Sequence, residues 1–176
     1  EAYALFGDGA AAAIVQKPQA SDSAGVIHAA MNTYSEGADH CRIEGGGTKY
    51  HPKHEQPNSE KFLFGMDGKK VFRLVLETIP EFFGKAMKDS GLSLEDIKLV
   101  VPHQASGAGM ELVRRKLGID RSKYMDILSK HGNMIAASIP LALSYAIEQG
   151  RVQRGDKIML MGTSAGMSIG LVIFEY

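Results

Sequence analysis

With 176 residues, 44% of them hydrophobic and 23% charged, the chain has enough material for one domain with a substantial core. Twenty Lys and Arg balance twenty Asp and Glu, so no overall field draws it to nucleic acid or to an anionic membrane surface. A single cysteine, Cys41, excludes an internal disulfide framework, and no apolar run approaches the roughly 20 residues needed to span a bilayer.

The first residues, up to Asp8, show no basic segment followed by an apolar stretch, so they do not read as a secretory signal. They also lack an initiator Met and begin in strand-like sequence, which is the expectation for a truncated or cleaved chain. Residues 10–15 are small and apolar, follow Gly7-Asp8-Gly9 and precede Pro18; they are expected as a buried strand, although their four alanines also allow a helix. A second strand is expected over residues 25–31. Residues 32–65 then turn polar and Gly-rich and are expected as an irregular excursion.

Periodicity changes after that loop. Val71, Leu74, Val75, Ile79, Phe82, Phe83 and Ala86 recur at helical spacing, with Gly91 as the closing residue and Pro80 expected to kink or split the helix. Residues 97–101 read as a strand ending at Pro102. A helix follows with Met110, Leu112, Val113 and Leu117 on its apolar side, then a short strand over 124–128. Residues 136–149 read as a helix with Leu143, Ala146 and Ile147 inward. Two closing strands, 157–161 and 168–174, flank the loop Gly162-Thr163-Ser164-Ala165-Gly166. Strands alternate with helices, so the fold class is α/β, helices packed on a sheet. In such domains the chemistry gathers at strand ends.

Three turn-like clusters carry chemical groups: Val101-Pro102-His103-Gln104-Ala105, His131-Gly132-Asn133 and the 162–166 loop. An imidazole, a carboxamide and loop N–H groups are the donors that hold a carbonyl oxygen as it gains negative charge. On local sequence alone, a His after a strand-ending Pro also suits a helix start, and an Asn after Gly suits a left-handed turn.

Taken in chain order, the motifs resemble those of β-ketoacyl-acyl-carrier-protein synthase III, a thiolase-like condensing enzyme family. They are Leu5-Phe6-Gly7-Asp8-Gly9-Ala10, Met66-Asp67-Gly68 with Val71-Phe72, Val101-Pro102-His103-Gln104-Ala105, His131-Gly132-Asn133 with Ala136-Ala137-Ser138-Ile139-Pro140, and Gly155-Asp156 before the final hairpin. The resemblance runs nearly end to end, interrupted mainly over residues 32–64. It implies one half of a thiolase-like fold, a mixed β-sheet with packed helices, the amino-terminal half being absent. Residues 1–16 are then the end of that half or the junction strand, and 90–176 is the region richest in motifs.

The resemblance also implies an activity. A cysteine in the missing half takes an acyl group from coenzyme A, a malonyl thioester loses carbon dioxide, and the enolate attacks the acyl-cysteine. His103 and Asn133 are implied as donors to the malonyl thioester oxygen, Ala165 and Gly166 as the oxyanion loop, and Gln104 and Ser106 as substrate-binding residues. No metal or cofactor is implied, only acyl-CoA and a malonyl thioester on carrier protein or coenzyme A. The implied whole is a cytoplasmic homodimer of fatty acid or related biosynthesis, with neither nucleic acid nor membrane as partner. Cys41, in Asp39-His40-Cys41-Arg42, does not match the family's cysteine motif, so this chain alone is expected to be inactive.

The sequence departs from the family at several positions. Ser106 and Ala108 stand where Asn and a carrier-docking Arg are common, leaving Arg114, Arg115 and Lys116 as the nearby positive charge. Met134 and Ile135 replace small hydroxyl residues, and Ile169 replaces a Trp, which suggests an altered acyl pocket. The alternatives are a hydroxymethylglutaryl-CoA synthase-like or secondary-metabolite acyltransferase, and a non-catalytic partner subunit. His40, Cys41, His51 and His54 are not expected to form a zinc site, because their spacing matches no strong zinc pattern.

Overall fold

The computed structural model of the protein describes residues 2–17 and 23–176. Its longest element is the helix α1 (Gly68–Ser90), which the apolar spacing demanded: Leu74, Val75, Ile79, Phe82, Phe83, Ala86 and Met87 are all buried on one side. Asp67 starts it by accepting the Lys70 N–H on Oδ1 at 3.0 Å, and Gly91 ends it in the left-handed conformation. Pro80 lies inside the helix without splitting it. An interior Pro costs about 3 kcal/mol, whereas each fully buried Leu, Ile or Phe contributes about 1.5–3 kcal/mol, and such residues lie on both sides of Pro80. Burial wins.

Two sheets form. The four-stranded one contains β1 (Gly25–Thr33), β4 (Leu99–Pro102), β5 (Lys157–Ser164) and β6 (Ser168–Glu175), in the order β1-β6-β5-β4. β4 and β5 are parallel, while β6 runs antiparallel to both β5 and β1, so the sheet is mixed. The smaller ladder pairs β2 (Cys41–Ile43) with β3 (Phe64–Met66). It ties together the two ends of the segment expected to be wholly irregular, and its three-residue strands are too short to register as a period in the sequence.

Alternate residues of the large sheet feed two cores. Val100, Met159, Met161, Ile169, Leu171 and Ile173 face α1 and α2 (Gly107–Lys116). Leu99, Val101 and Ile158 face the other way, where α4 (Ser138–Glu148) packs with Ala142 and Ala146 against β4 and β5. This period-two division is what a sheet sandwiched between helices requires. On β1, Val26 pairs with Phe174 and Met31 with Gly170, and both side chains stay exposed.

Four expectations need correction. Residues 10–15 form no strand: they pair with no described strand, and Ile14 and Val15 are 96% and 92% exposed. A strand exists only against a partner edge, and none of the described strands offers one there. Pro18 lies outside the described residues. Residues 124–128 make a single bridge, Val100 with Tyr124, because Leu128 already begins the short helix α3 (Leu128–His131). The helix expected over 136–149 opens with a 3-10 turn, Ile135–Ala137, before α4. Gly162, Thr163 and Ser164 belong to β5, so only Ala165, Gly166 and Met167 form the turn to β6.

Candidate active site

His103 is placed by the sheet. Pro102, the last residue of β4, pairs with Met161 of β5, and the next backbone N–H, that of His103, donates to the Met161 oxygen at 2.8 Å. Gly162 lies beside it. A Cβ there would sit 3.5 Å from His103 Cβ and 3.0 Å from Ile139 Cδ1, so the imidazole is flanked by β5 and by the first turn of α4. Burial pushes the His103 pKa below its ordinary value, because a charged ring loses water it cannot replace. The ring is therefore neutral near pH 7, with one nitrogen as donor.

Asn133 is placed by a docked segment near the amino-terminal end, Leu5 to Gly7. Its N–H donates to the Leu5 oxygen at 2.7 Å, and its carbonyl accepts the Gly7 N–H at 3.0 Å. The approach is close enough to demand glycine: a Cβ on Gly7 would lie 1.8 Å from the His131 oxygen. Gly132 answers it with φ 67°, and a Cβ there would be 3.1 Å from the Gly7 nitrogen. The Asn133 Oδ1 accepts the Ile135 N–H at 2.9 Å. Because that N–H can only donate, the atom facing it is oxygen, and Nδ2 is turned away. Among the described residues Nδ2 makes no hydrogen bond, so both its protons are available to an acceptor.

Ala165 and Gly166 form the turn at the end of β5, three residues past Gly162. Tyr34 and Met167 hold that turn through reciprocal N–H···O bonds of 2.7 and 3.2 Å. His103 and the turn thus follow the carboxyl ends of the parallel strands β4 and β5, where an α/β domain presents its chemistry, while Asn133 is held by the Leu5–Gly7 segment.

Two residues near His103 have different work from that expected of them. Gln104, expected at the substrate, is 0% exposed: Nε2 donates to Pro102 O and Met125 O at 2.9 and 3.3 Å, and Oε1 accepts the Ile127 N–H at 2.9 Å. It touches backbone, not solvent. Ser106, also expected there, is the N-cap of α2, its Oγ accepting the Gly109 N–H at 3.2 Å.

The substitutions taken to reshape an acyl pocket also separate. Ile169 is 0% exposed in the core beneath α1, and Met134 is buried under Gly9, so neither opens on the site. Ile135 does face outward, 58% exposed. Arg114 and Arg115 both hydrogen-bond Glu111, and Arg114 also reaches the Ile119 carbonyl oxygen, so these arginines are already engaged. Cys41 is half-buried in β2 and its thiol is pushed up by burial, the reverse of an activated nucleophile. Among the described residues no three His, Cys, Asp or Glu side chains gather as metal ligands. His51 instead caps the turn Pro52–His54 by accepting the Lys53 N–H.

The sequence pointed to His103 and Asn133 but missed what holds Asn133: the Leu5–Gly7 segment and the Ile135 backbone. A signal existed in the two glycines, Gly7 and Gly132, yet a mutual approach between residues so distant in sequence is visible only in three dimensions.

Residues 87–176, which contain His103, Asn133 and the Ala165-Gly166 turn, match the family described as 3-oxoacyl-[acyl-carrier-protein (ACP)] synthase III C terminal. The chain belongs to the synthase III family. It is similar to the β-ketoacyl-[acyl-carrier-protein] synthase III of Neorickettsia sennetsu, 36% identical over 172 residues that cover 98% of this chain and 50% of that protein. Clostridium tetani has a synthase III that is 34% identical, with 93% of this chain and 50% of that one covered. Among solved structures, the synthase III of Thermus thermophilus superposes with a TM-score of 0.77 at 26% identity, covering 92% of this chain and 49% of that one. The fold is therefore thiolase-like, and the chain spans about half the length of the synthase III relatives it matches.

Proposed function

We propose that this chain is the carboxyl-terminal half of an acyltransferase that joins an acyl thioester to a malonyl thioester by decarboxylative Claisen condensation. The observation that carries the reading is the orientation of Asn133, whose oxygen is occupied by the Ile135 N–H so that only its NH2 group is presented. A neutral His103, just past the end of β4, is the second donor in this reading. When the malonyl carboxylate leaves as carbon dioxide, the bonding electrons move onto the thioester carbonyl, which becomes an enolate. Two neutral donors aimed at that oxygen stabilise the new charge more than the ground-state carbonyl. The enolate carbon then attacks an acyl group held on a cysteine, and the thiolate leaves. Ala165 and Gly166 offer backbone N–H groups for the second oxyanion.

Cys41 does not serve as that cysteine in this reading, so the isolated chain does not condense thioesters. The substrates are coenzyme A or carrier-protein thioesters, and no cofactor is needed. On the family resemblance, the intact protein is a cytoplasmic homodimer of fatty acid or related biosynthesis. Arg114 and Arg115 engaged by Glu111, together with Ala108 on α2, favour coenzyme A over a carrier protein for the malonyl group. The test is to supply the full-length protein with acyl-CoA and either malonyl-CoA or malonyl carrier protein, following carbon dioxide and β-ketoacyl product. Product formation that survives His103→Ala and Asn133→Ala undiminished contradicts the reading.

A further inference from the structure

We infer that Gln104 is a positioning residue that sets the Asn133 donor relative to His103, and so governs decarboxylation while leaving acyl loading of the enzyme alone. The inference rests on the proposed condensation for the reaction, and on geometry for the positioning.

Gln104 immediately follows His103, and its side chain turns inward from the site. All its hydrogen-bonding reach is directed to two backbone segments: Pro102 at the end of β4, and Met125 and Ile127 across from it. A wholly buried carboxamide is retained only where its donors and acceptor are satisfied, since an unpaired buried polar group costs about 1–3 kcal/mol. Here it supplies what a strand would otherwise supply. The 124–128 segment makes only one bridge to β4, with the Met125 N–H donating to the Val100 oxygen at 2.9 Å. Past that point the ladder stops, and the Ile127 N–H finds its partner in Gln104 Oε1 instead.

That bond sits at the root of the Asn133 turn. Ile127 leads directly into α3, and its carbonyl accepts the N–H groups of Lys130 and His131 at 3.1 and 3.2 Å. Gly132 and Asn133 follow without any intervening element. Gln104 therefore connects the residue after the imidazole to the base of the turn that carries the carboxamide. The amino-terminal segment clamps Asn133 from its other side. Removing Gln104 frees one anchor only, so the turn shifts rather than unfolds. A displacement on the order of 1 Å at a catalytic group is enough to cost about a hundredfold in rate.

The experiment compares Gln104→Met, nearly isosteric without the hydrogen bonds, with wild type in the full-length protein. Gln104→Glu serves as a second variant, since its buried carboxyl, protonated, keeps an acceptor for the Ile127 N–H and one donor for the Pro102 oxygen. Expected for Gln104→Met is a decarboxylation kcat about a hundredfold lower, with KM for malonyl-CoA and the rate of acyl loading from acyl-CoA both unchanged. Gln104→Glu recovers part of that loss. In an Asn133→Ala background the same substitution costs little further, because its target is gone. Equal losses in loading and decarboxylation, no loss in either, or full additivity with Asn133→Ala each overturn the inference.

If wild type decarboxylates neither malonyl-CoA nor malonyl carrier protein, the reaction assignment falls, and the positioning claim is then decided by NMR. Side-chain amide resonances of Asn133 that move in Gln104→Met support it, and unmoved resonances overturn it. Should Gln104→Met fail to fold, the same readouts are taken on Gln104→Asn, whose shorter side chain withdraws the acceptor from the Ile127 N–H, with the same two outcomes.

Discussion

The carboxamide oxygen of Asn133 accepts the backbone N–H of Ile135 at 2.9 Å, which leaves the NH2 group as the only face of that side chain able to meet a substrate. Asn133→Asp separates the two jobs. The carboxylate still accepts from Ile135, so the turn is kept and stability changes by no more than about 0.5 kcal/mol. The donor is lost, and a negative charge now faces the enolate. Carbon dioxide release by the full-length protein falls about 10²–10³-fold, the loss typical of one oxyanion donor. Thermal unfolding and the decarboxylation rate together check the prediction.

Ile135 meets that bond at a conformational cost. Its φ is 53°, in the left-handed region that a β-branched residue avoids. Such a residue carries about 1–3 kcal/mol of strain, and its exposed side chain recovers little by burial. Ile135→Asn, which tolerates the left-handed region, raises stability to denaturant by about 1 kcal/mol while the N–H bond to Asn133 is retained. A destabilised variant contradicts the assignment of strain.

Gly7→Ala tests the clamp on Asn133. The added carbon meets the His131 carbonyl at 1.8 Å, far inside contact, and the obstacle is backbone rather than a flexible side-chain tip. Either the segment lifts away or the turn moves, at a cost of about 1–3 kcal/mol. Amide hydrogen exchange reads it directly: the Asn133 and Gly7 N–H groups lose protection while those of α1 keep theirs.

The pKa of His103 gives a pH signature. Burial holds it below its ordinary value of 6.5, so the unfolded chain binds this proton more readily than the folded one. Its contribution to stability is complete above pH 6.5 and is lost as pH falls through the lower folded value. Replacing His103 by Asn removes that portion of the acid dependence. Denaturant titrations at stepped pH values from about 7 downward measure the slope in each protein.

Glu111 acts lower on the scale. Hydrogen bonds from Arg114 and Arg115 hold its carboxyl down at about 2 from an ordinary 4.5. Its contribution is present above pH 4.5 and disappears as pH falls through about 2. Glu111→Gln flattens the stability profile in that window, and it also releases the two arginines. If carrier protein is a weak partner because those charges are engaged, the variant binds acidic carrier protein more tightly at low salt.

Much of the fold was legible because burial is periodic. The stripe from Val71 to Ala86 marked α1, and short apolar runs in residues 157–161 and 168–174 marked β5 and β6. Where pairing rather than periodicity decides, the sequence misled. Residues 10–15 have strand composition and no edge to join, whereas Cys41–Ile43 and Phe64–Met66 have weak signals and pair all the same. The site divided similarly. His103 and Asn133 stand out by motif, because an imidazole and a carboxamide in short turns are distinctive in a sequence. Gln104, implied as a substrate contact by its place in the motif, turns into the core, which a place in a motif does not disclose.

If His103 and Asn133 act on one thioester oxygen, a double-mutant cycle on carbon dioxide release from malonyl-CoA reveals it. The predicted result is that His103→Ala and Asn133→Ala each lower the rate of the full-length protein sharply, and that the double variant is scarcely worse than the poorer single one. Losses that multiply in full, or a single variant that retains the wild-type rate, contradict it.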